Sequence, residues 1–345
     1  MGRRNEATRD RFELKKVSQD PSYKRVYGNY PAKKYKKGTP AITRIEFEFV
    51  GSGTQFIDIA AALSALNRKM FRQGCYYYVN SIEYYDNLDS FVDVHVLPDT
   101  WTTRAAYRRA KGIFDQMNDM ALRHAQTVVP KYHDFKVYMS DQHRANGTVM
   151  PSLHGVNQAS TAVAVDEWEY SQLVSQDDDQ DATANADNFF LHMLGGNSGS
   201  SDNWTSVGII ASYGNTRVEQ GTSAGQPVVP TTLATDPLVN LFDASSEEQL
   251  NDVLTNLDDD NDLPPYDRNS YVGESSGHMM HVGRLTTTAE SGRVTQGAGF
   301  CAPLGLIAID PPTGGADGMP SDNEYRIVLN LAVGTYHGVY AERIA

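Results

Sequence analysis

The sequence predicts a mainly β fold, an antiparallel β-sandwich with a few short helices in its connections and a basic arm at the amino terminus. Short segments that alternate apolar and polar residues recur along the chain, and polar loops rich in Gly, Ser, Asp and Asn separate them. No internal repeat indicates a propeller or solenoid. The chain has 345 residues, of which 40% are hydrophobic, and this is enough to bury a large core.

The first half of the chain predicts three strands and two helices. A first strand is expected at about 42–50, where apolar and charged residues alternate up to a glycine. Phe56–Phe71 has apolar residues at intervals of three and four over an alanine-rich run, which indicates a short amphipathic helix. The aromatic stretch Tyr76–Tyr85 and the alternating valines of 92–96 predict two more strands. A second helix is expected over Thr102–Ala125.

The second half predicts strands separated by long polar connections. Its short apolar or alternating segments favour antiparallel pairing over parallel βαβ units, and they lie at about 135–139, 160–170, 204–213, 281–288, 302–309 and 325–340. Ser245–Leu257 begins with a capping box and carries an apolar stripe, so a helix is expected there. Eight or more strands with helices in their connections predict a single jelly roll decorated by long acidic surface loops at about 171–203 and 240–275.

Charge is distributed very unevenly along the chain. Residues 1–44 carry 13 Lys+Arg and 4 Asp+Glu, so the remaining residues carry 17 and 39 of the totals of 30 and 43. Residues 145–266 contain one basic residue, Arg217, and 19 acidic ones. We therefore predict two parts, a basic arm at 1–40 that has no core of its own and a shell domain at 41–345 whose acidic surface repels polyanions.

The arm is predicted to bind nucleic acid through its cations and an aromatic ring that can stack on unpaired bases. The residues expected to do so are Arg3, Arg4, Arg9, Arg11, Lys15, Lys16, Lys24, Arg25, Lys33, Lys34, Tyr35, Lys36 and Lys37. Two alternatives stay open at this point, because the run Lys33–Lys37 would also pass as a localisation signal and basic tails also bind protein partners. Arg104, Arg108, Arg109 and Lys111 of the second predicted helix either continue this binding surface or form a solvated flank.

This arrangement resembles the capsid proteins of small circular single-stranded DNA viruses that encode a replication initiator. The resemblance rests first on the basic arm, which is interleaved with Tyr23, Tyr27, Tyr30 and Tyr35. It rests also on two apolar strands, Val163–Tyr170 with Trp168 and Ile327–Val339, and on the glycine-rich segment Gly299–Leu306. The sequence departs from the family in one respect, since arms of that family are often more densely Arg-rich.

The resemblance implies a structural protein without catalytic residues. It implies a jelly-roll subunit that assembles into an icosahedral shell, with 60 or more copies of the chain, around a nucleic-acid genome that we expect to be single-stranded DNA. The expected location is the virion, and the host nucleus or cytoplasm during assembly. No membrane partner is expected, and the host receptor is unknown.

The sequence supports other functional classes less well. A β-sandwich attachment module that binds a receptor or glycan without forming a shell is the main alternative. Gly273–Gly277 matches the G-x-S-x-G pattern of a serine hydrolase, but a strand and not a helix is expected after Ser275. His278 and His281 have a metal-compatible spacing without a third ligand. No cofactor is expected, although the acidic loops could bind divalent cations weakly.

Overall fold

A computed structural model describes residues 40–124, 132–154, 160–163, 168–175, 187–200, 203–216, 272–274, 278–290, 293–314, 319–320 and 324–344. The chain divides into two units, Met1–Thr39 and Pro40–Ala345. The first unit lies outside the described residues, so the fold below is that of the second.

Strands dominate the second unit, and the prediction of a mainly β, antiparallel sandwich is confirmed. The strands are β1 (Arg44–Phe49), β2 (Gln55–Asp58), β3 (Cys75–Asp86), β4 (Ser90–Val96), β5 (Tyr138–Ser140), β6 (Ser152–His154), β7 (Ser160–Ala162), β8 (Gln172–Ser175), β9 (Asp187–Leu194), β10 (Ser198–Ser200), β11 (Asn203–Gly208), β12 (Met280–Thr287), β13 (Val294–Gly297), β14 (Phe300–Pro303), β15 (Leu306–Ile309), β16 (Thr313–Gly314), β17 (Met319–Pro320), β18 (Tyr325–Leu331), β19 (Val333–Tyr336) and β20 (Ala341–Arg343). The helices are α1 (Ile59–Asn67), α2 (Trp101–His124), α3 (Asp141–Asn146) and α4 (Ile209–Asn215).

Two antiparallel sheets form the sandwich. The first has the strand order β1-β18-β3-β13, with β14 and β20 also paired to β3. The second has the order β17-β16-β4-β15-β2, with β12 paired to β4. Alternate residues of β1, β3 and β4 are buried, because successive side chains of a strand point to opposite faces and only one face packs on the other sheet.

The strands of the two sheets pair in a nested order. The first strand, β1, pairs with the last long strand, β18, and β2 pairs with β15. Inside these pairs, β3 joins β13 and β14, and β4 joins β12. Such nesting arises when one long antiparallel hairpin is rolled into two sheets, since each outer pair then encloses the next.

The core between the two sheets consists of aliphatic and aromatic side chains from both. Phe47 of β1 and Tyr84 of β3 meet Val94 of β4 and Ile307 of β15 in one fully buried cluster. At roughly 25 cal/mol per Å² of apolar area, this burial is the main stabilising contribution to the fold.

A tight turn connects the two sheets between β14 and β15. Its residues Leu304 and Gly305 have φ values of 58° and 69°. A Cβ atom at Gly305 would lie 2.9 Å from Cδ2 of Tyr77, so the turn requires glycine for space as well as for conformation. All four residues of β15 are buried because this strand is covered on both faces.

The second face of β15 packs against a layer that the sequence did not predict. Strands β8, β9, β10, β11 and β5 form a third sheet in which β9 pairs in parallel with both β11 and β5. Helices α2 and α4 join it around a second core that includes Tyr107, Leu191, Ile210 and Leu306. One broad face of the sandwich is therefore covered by the chain itself.

Several predicted boundaries are corrected by this arrangement. The helix expected at Phe56–Phe71 begins at Ile59, because residues 56–58 pair with β15 as strand β2. The strand expected at 204–213 ends at Gly208, and helix α4 follows. Much of the loop expected at 171–203 forms β8, β9 and β10, and apolar residues of β8 and β9 enter the second core. The helix expected at 245–257 and the loop at 240–275, apart from residues 272–274, lie outside the described residues.

Two further strand predictions are corrected: the strand expected at 160–170 covers only Ser160–Ala162, since 168–170 are not in a strand, and the one expected at 302–309 is divided by the turn at 304–305. The predictions that follow agree closely with the structure. Helix α2 covers 101–124, and the strands expected at 76–85, 281–288 and 325–340 correspond to β3, β12 and the pair β18 and β19. Cys75 and Cys301 are free thiols, of which Cys75 is buried and Cys301 half-buried. Among the described residues, no helix combines the length and apolar character needed to cross a membrane.

Candidate nucleic-acid interface

The thirteen residues predicted to bind nucleic acid, from Arg3 to Lys37, all precede the described part of the chain. Their role stays a prediction. The structure describes the point at which the chain continues from them into the folded unit, which is Pro40.

Residues 40–42 are held against the end of helix α1. Asn67 accepts a hydrogen bond of 2.7 Å from the Ile42 amide and donates one of 3.3 Å to the Ile42 carbonyl. Lys69 donates through Nζ to the carbonyl of Pro40 at 3.0 Å. The helix ends here because Arg68 adopts a left-handed conformation, with φ 51° and ψ 40°. The first residues after the arm therefore have a defined position on the folded unit.

Two cations lie at this position, and we call Arg68 and Lys69 the basic corner. Arg68 is exposed, and no described residue forms a hydrogen bond or ion pair with it. Lys69 contacts a neutral carbonyl and not a carboxylate. Neither charge is balanced by a described acidic group, so both remain able to contact a phosphate. The sequence prediction missed this pair, although the run Arg68–Arg72 holds three cations in five residues and could have indicated it.

The basic residues of helix α2 are mostly engaged by the protein. Arg104 forms an ion pair with Asp99 at 3.3 Å, and Lys111 forms one with Asp115 at 2.5 Å. Arg108 donates two hydrogen bonds to the Ile344 carbonyl, at 3.2 and 3.0 Å. Of the four cations predicted on this helix, Arg109 alone lacks such a bond within the described residues. The helix is therefore a poor continuation of the arm's binding surface.

A buried polar cluster is centred on the carboxyl group of Asp58, which is completely buried. Asp58 caps helix α1 by accepting from the amides of Ala60 and Ala61, at 2.9 and 3.2 Å. Gln73 donates to its second oxygen at 2.9 Å, and Trp168 does so at 3.3 Å. Burial raises the pKa of Asp58 to about 6, because removal from water penalises the carboxylate more than these donors stabilise it.

A directed chain of hydrogen bonds ends on the same carboxylate. The Met139 amide donates to Nδ1 of His143, so the ring hydrogen must be on Nε2, which donates to Thr148 at 2.8 Å. Thr148 then donates to the Tyr170 hydroxyl at 2.6 Å, and Tyr170 donates to Asp58 at 3.4 Å. Burial lowers the pKa of His143 to about 3, so the ring is neutral at physiological pH.

The Asp58 cluster joins segments that are far apart in sequence. It connects β2 and α1 to Gln73, to α3 and to the segment 168–170, and Asp58, Gln73 and His143 are completely buried. Lys136 lies above the Trp168 ring, with Nζ 4.4 Å from the ring centroid. With its central groups buried and hydrogen-bonded, the arrangement positions chain segments and does not offer a surface to a ligand.

Histidines on the second sheet are paired with carboxylates across neighbouring strands. His281 of β12, one of the two histidines with metal-compatible spacing, contacts Asp93 at 3.1 Å, and Arg284 binds the same carboxylate through two nitrogens. His95 contacts Asp310 at 2.9 Å, and the rings of His95 and His281 are 5.3 Å apart. The hydrogen bonds from Arg284 are the main reason that the pKa of Asp93 is lowered.

The structure describes only some of the residues predicted to act as a nucleophile or to bind cations. Ser275 of the hydrolase-like motif, the acidic run at 258–262 and that at 177–181 lie outside the described residues. Within them, Glu46, Glu48 and His154 are close enough to hold a cation. Arg326 already contacts both carboxylates, at 3.5 and 3.1 Å, so a resident guanidinium balances part of the negative charge of this cluster.

Comparisons with known proteins identify no relative of this chain. No protein-family model matches it, and neither a curated protein nor a solved structure matches it significantly.

Proposed function

We propose that this protein is a viral capsid protein that self-assembles into an icosahedral shell and packages a nucleic-acid genome, with single-stranded DNA as the favoured genome. The observation that carries the proposal is the nested pairing of the sandwich strands, in which β1, β2, β3 and β4 pair in turn with β18, β15, β14 and β12. We infer from it that the sandwich is a single jelly roll, an architecture that viral shells use. A jelly roll alone does not specify function, so the proposal needs a second argument.

Positive and negative charge are separated along the chain. Residues 1–44 have a net charge of +9, from 13 basic and 4 acidic residues, whereas the whole chain has −13. The basic corner extends the positive charge to the part of the folded unit that lies beside Pro40. A shell subunit needs this polarity, because one part must hold polyanion while the rest must not collapse onto it.

The proposed mechanism is assembly. Contacts between 60 or more copies of the folded unit would bury apolar surface and form the shell, and the arms would release counterions from the genome as they bind it. Sixty copies of residues 1–44, each with a net charge of +9, supply roughly 540 charges against one negative charge per nucleotide. A longer genome would need additional counterions, or stacking on arm tyrosines, to be neutralised fully. The protein would act in the virion, and in the host nucleus or cytoplasm during assembly.

Electron microscopy of the purified full-length protein tests this proposal, with the ratio of absorbance at 260 and 280 nm read on the same sample. We expect uniform closed shells that carry nucleic acid. Monomers or small oligomers without nucleic acid, persisting across salt and pH, would contradict the proposal. They would favour the alternative of an attachment module, for which glycan screening is then the next measurement.

A further inference from the structure

An apolar cavity of about 280 Å³ lies between helix α2, helix α4 and the third sheet. Ala106, Ala110 and Ile113 line it on the side of α2, while Leu191 and Val207 line it on the side of the sheet. The cavity is open to solvent on one side. It belongs to the second core and is separate from the Asp58 cluster, with which it shares no lining residue.

The cavity exists because small side chains face the sheet at the middle of helix α2. Ala106 and Ala110 are one helical turn apart and are nearly completely buried, so a larger residue at either position would fill the space. Protein interiors are normally packed to the density of organic crystals, and unfilled apolar space costs stability. A cavity of about 150 Å³ holds one benzene molecule. The space here is nearly twice as large and suits a short aliphatic chain.

The charge at the cavity opening indicates which apolar molecule would bind. Arg109 lines the opening and is exposed, and within the described chain no group forms a hydrogen bond or ion pair with its guanidinium. Its neighbours on the same helix, Arg104, Arg108 and Lys111, are all engaged. Ser212 and Thr216 also line the cavity and offer neutral hydroxyl groups. A ligand with an apolar tail and one anionic end complements this arrangement.

We infer that this cavity is a binding site for a small amphipathic carboxylate of the medium-chain fatty-acid type. The tail occupies the space between Ala106, Ala110 and the third sheet, and the carboxylate pairs with Arg109. The inference does not depend on the proposed shell function, because it rests on the second core and not on the arm or on assembly.

Calorimetry on the full-length protein tests the inference, with sodium decanoate and decylamine as probes at concentrations below those at which they form micelles. Decanoate should bind with one molecule per chain, at least about tenfold more tightly than decylamine. Arg109→Gln should weaken decanoate binding about tenfold and abolish the preference over decylamine. Arg123→Gln is the matched control, because Arg123 is an exposed arginine of the same helix that does not line the cavity.

Equal affinities for the two probes, absence of decanoate binding, or equal effects of the two arginine substitutions would overturn the inference. Ala110→Leu should fill the cavity and remove binding, but it could also disturb packing. A decanoate analogue with a photoreactive tail therefore provides an independent readout on the unmodified protein. Labelling should map to residues 106–113 and 207–213, and labelling confined to other regions would refute the site.

Discussion

The Gln73 side-chain amide donates a 2.9 Å hydrogen bond to the carboxylate of Asp58, and both side chains are completely buried. Gln73 also accepts from the Val137 amide at 2.6 Å and donates to the Val137 carbonyl at 2.9 Å. These two residues thus connect the start of helix α1 to the segment that leads into the third sheet. The sandwich and its outer layer are linked through buried polar contacts as well as through apolar packing.

Loss of the Asp58 carboxylate should therefore destabilise the fold strongly. Asp58→Ala removes a helix cap and leaves buried donors of Gln73, Trp168 and the α1 backbone without acceptors. Each such donor costs about 1–3 kcal/mol, so we expect the free energy of unfolding to fall by about 3 kcal/mol or more. Urea denaturation measures this. Asp119→Ala, an exposed aspartate of α2, is the control and should change the value by less than about 0.5 kcal/mol.

Stability should also depend on pH through Asp58. Its pKa is about 6 in the folded state and 3.8 in the reference state, so the folded protein binds the proton first as pH falls. The wild type should therefore gain stability relative to Asp58→Asn between about pH 7 and pH 4, by roughly 3 kcal/mol at 1.36 kcal/mol per pKa unit. Denaturation curves of the two proteins across this range check the sign. A difference that is constant with pH, or that shrinks on acidification, would contradict the raised pKa.

Two glycines should respond in opposite directions to replacement by alanine. A Cβ at Gly208, where β11 leads into α4, would lie 2.0 Å from the carbonyl oxygen of Gly195, so Gly208→Ala requires the backbone to move. Apart from its own helix backbone, no described atom lies within 4 Å of the Cβ position of Gly112 in α2, so Gly112→Ala should stabilise the helix by about 0.5–1 kcal/mol. Thermal unfolding should show a lower Tm for the first variant and a higher one for the second. The same direction of shift in both would be inconsistent with the described packing.

Removal of the arm should separate nucleic-acid binding from folding. A chain lacking residues 1–37 should keep the circular dichroism spectrum of a folded β protein, while particles or oligomers made from it contain less nucleic acid. For the intact chain, the affinity for single-stranded DNA should fall steeply with salt, by about 0.7 logarithmic units per neutralised phosphate for each tenfold increase. Unchanged nucleic-acid content in the truncated protein, or a flat salt profile, would show that the arm has another role.

The basic corner, Arg68 and Lys69, should strengthen the binding of single-stranded DNA beyond what the arm provides. The double change Arg68→Gln and Lys69→Gln should weaken binding of single-stranded DNA and reduce the salt slope by one to two phosphates, at about 0.7 each. Arg104→Gln and Lys111→Gln together form the control, because those cations are already paired with Asp99 and Asp115. Fluorescence anisotropy with a labelled oligonucleotide measures both effects. Equal losses in the two double variants would contradict a specific role for the corner.

The sequence predicts much of the sandwich because period-2 alternation reports which face of a strand is buried. The strands at 44–49, 75–86 and 90–96 follow this signal. Residues 56–58 do not, because a short apolar run has the same composition in a strand and in a helix. Their secondary structure is decided by the strand with which they pair, since Ile57 pairs with Ile307 of β15, a residue about 250 positions away.

The third sheet and the basic corner required the tertiary structure. Residues 187–194 are flanked by acidic and small polar residues, and their strand is defined only by pairing with β5, β8 and β11. Arg68 and Lys69 look like an ordinary helix end until Pro40 is seen to be held beside them. Likewise, the sequence of α2 shows its alanines, but only the packing against the third sheet reveals that they leave a cavity.

The sequence by itself therefore determined the β class, the core-facing side of most strands and the separation of positive from negative charge, because these depend on residue type and local spacing. The tertiary structure decided which strands pair, which cations remain unbalanced, and where a buried carboxylate is held protonated at mildly acid pH. These properties depend on residues such as Asp58, Gln73 and Tyr170 meeting across long separations in sequence, and local periodicity carries no information about such contacts.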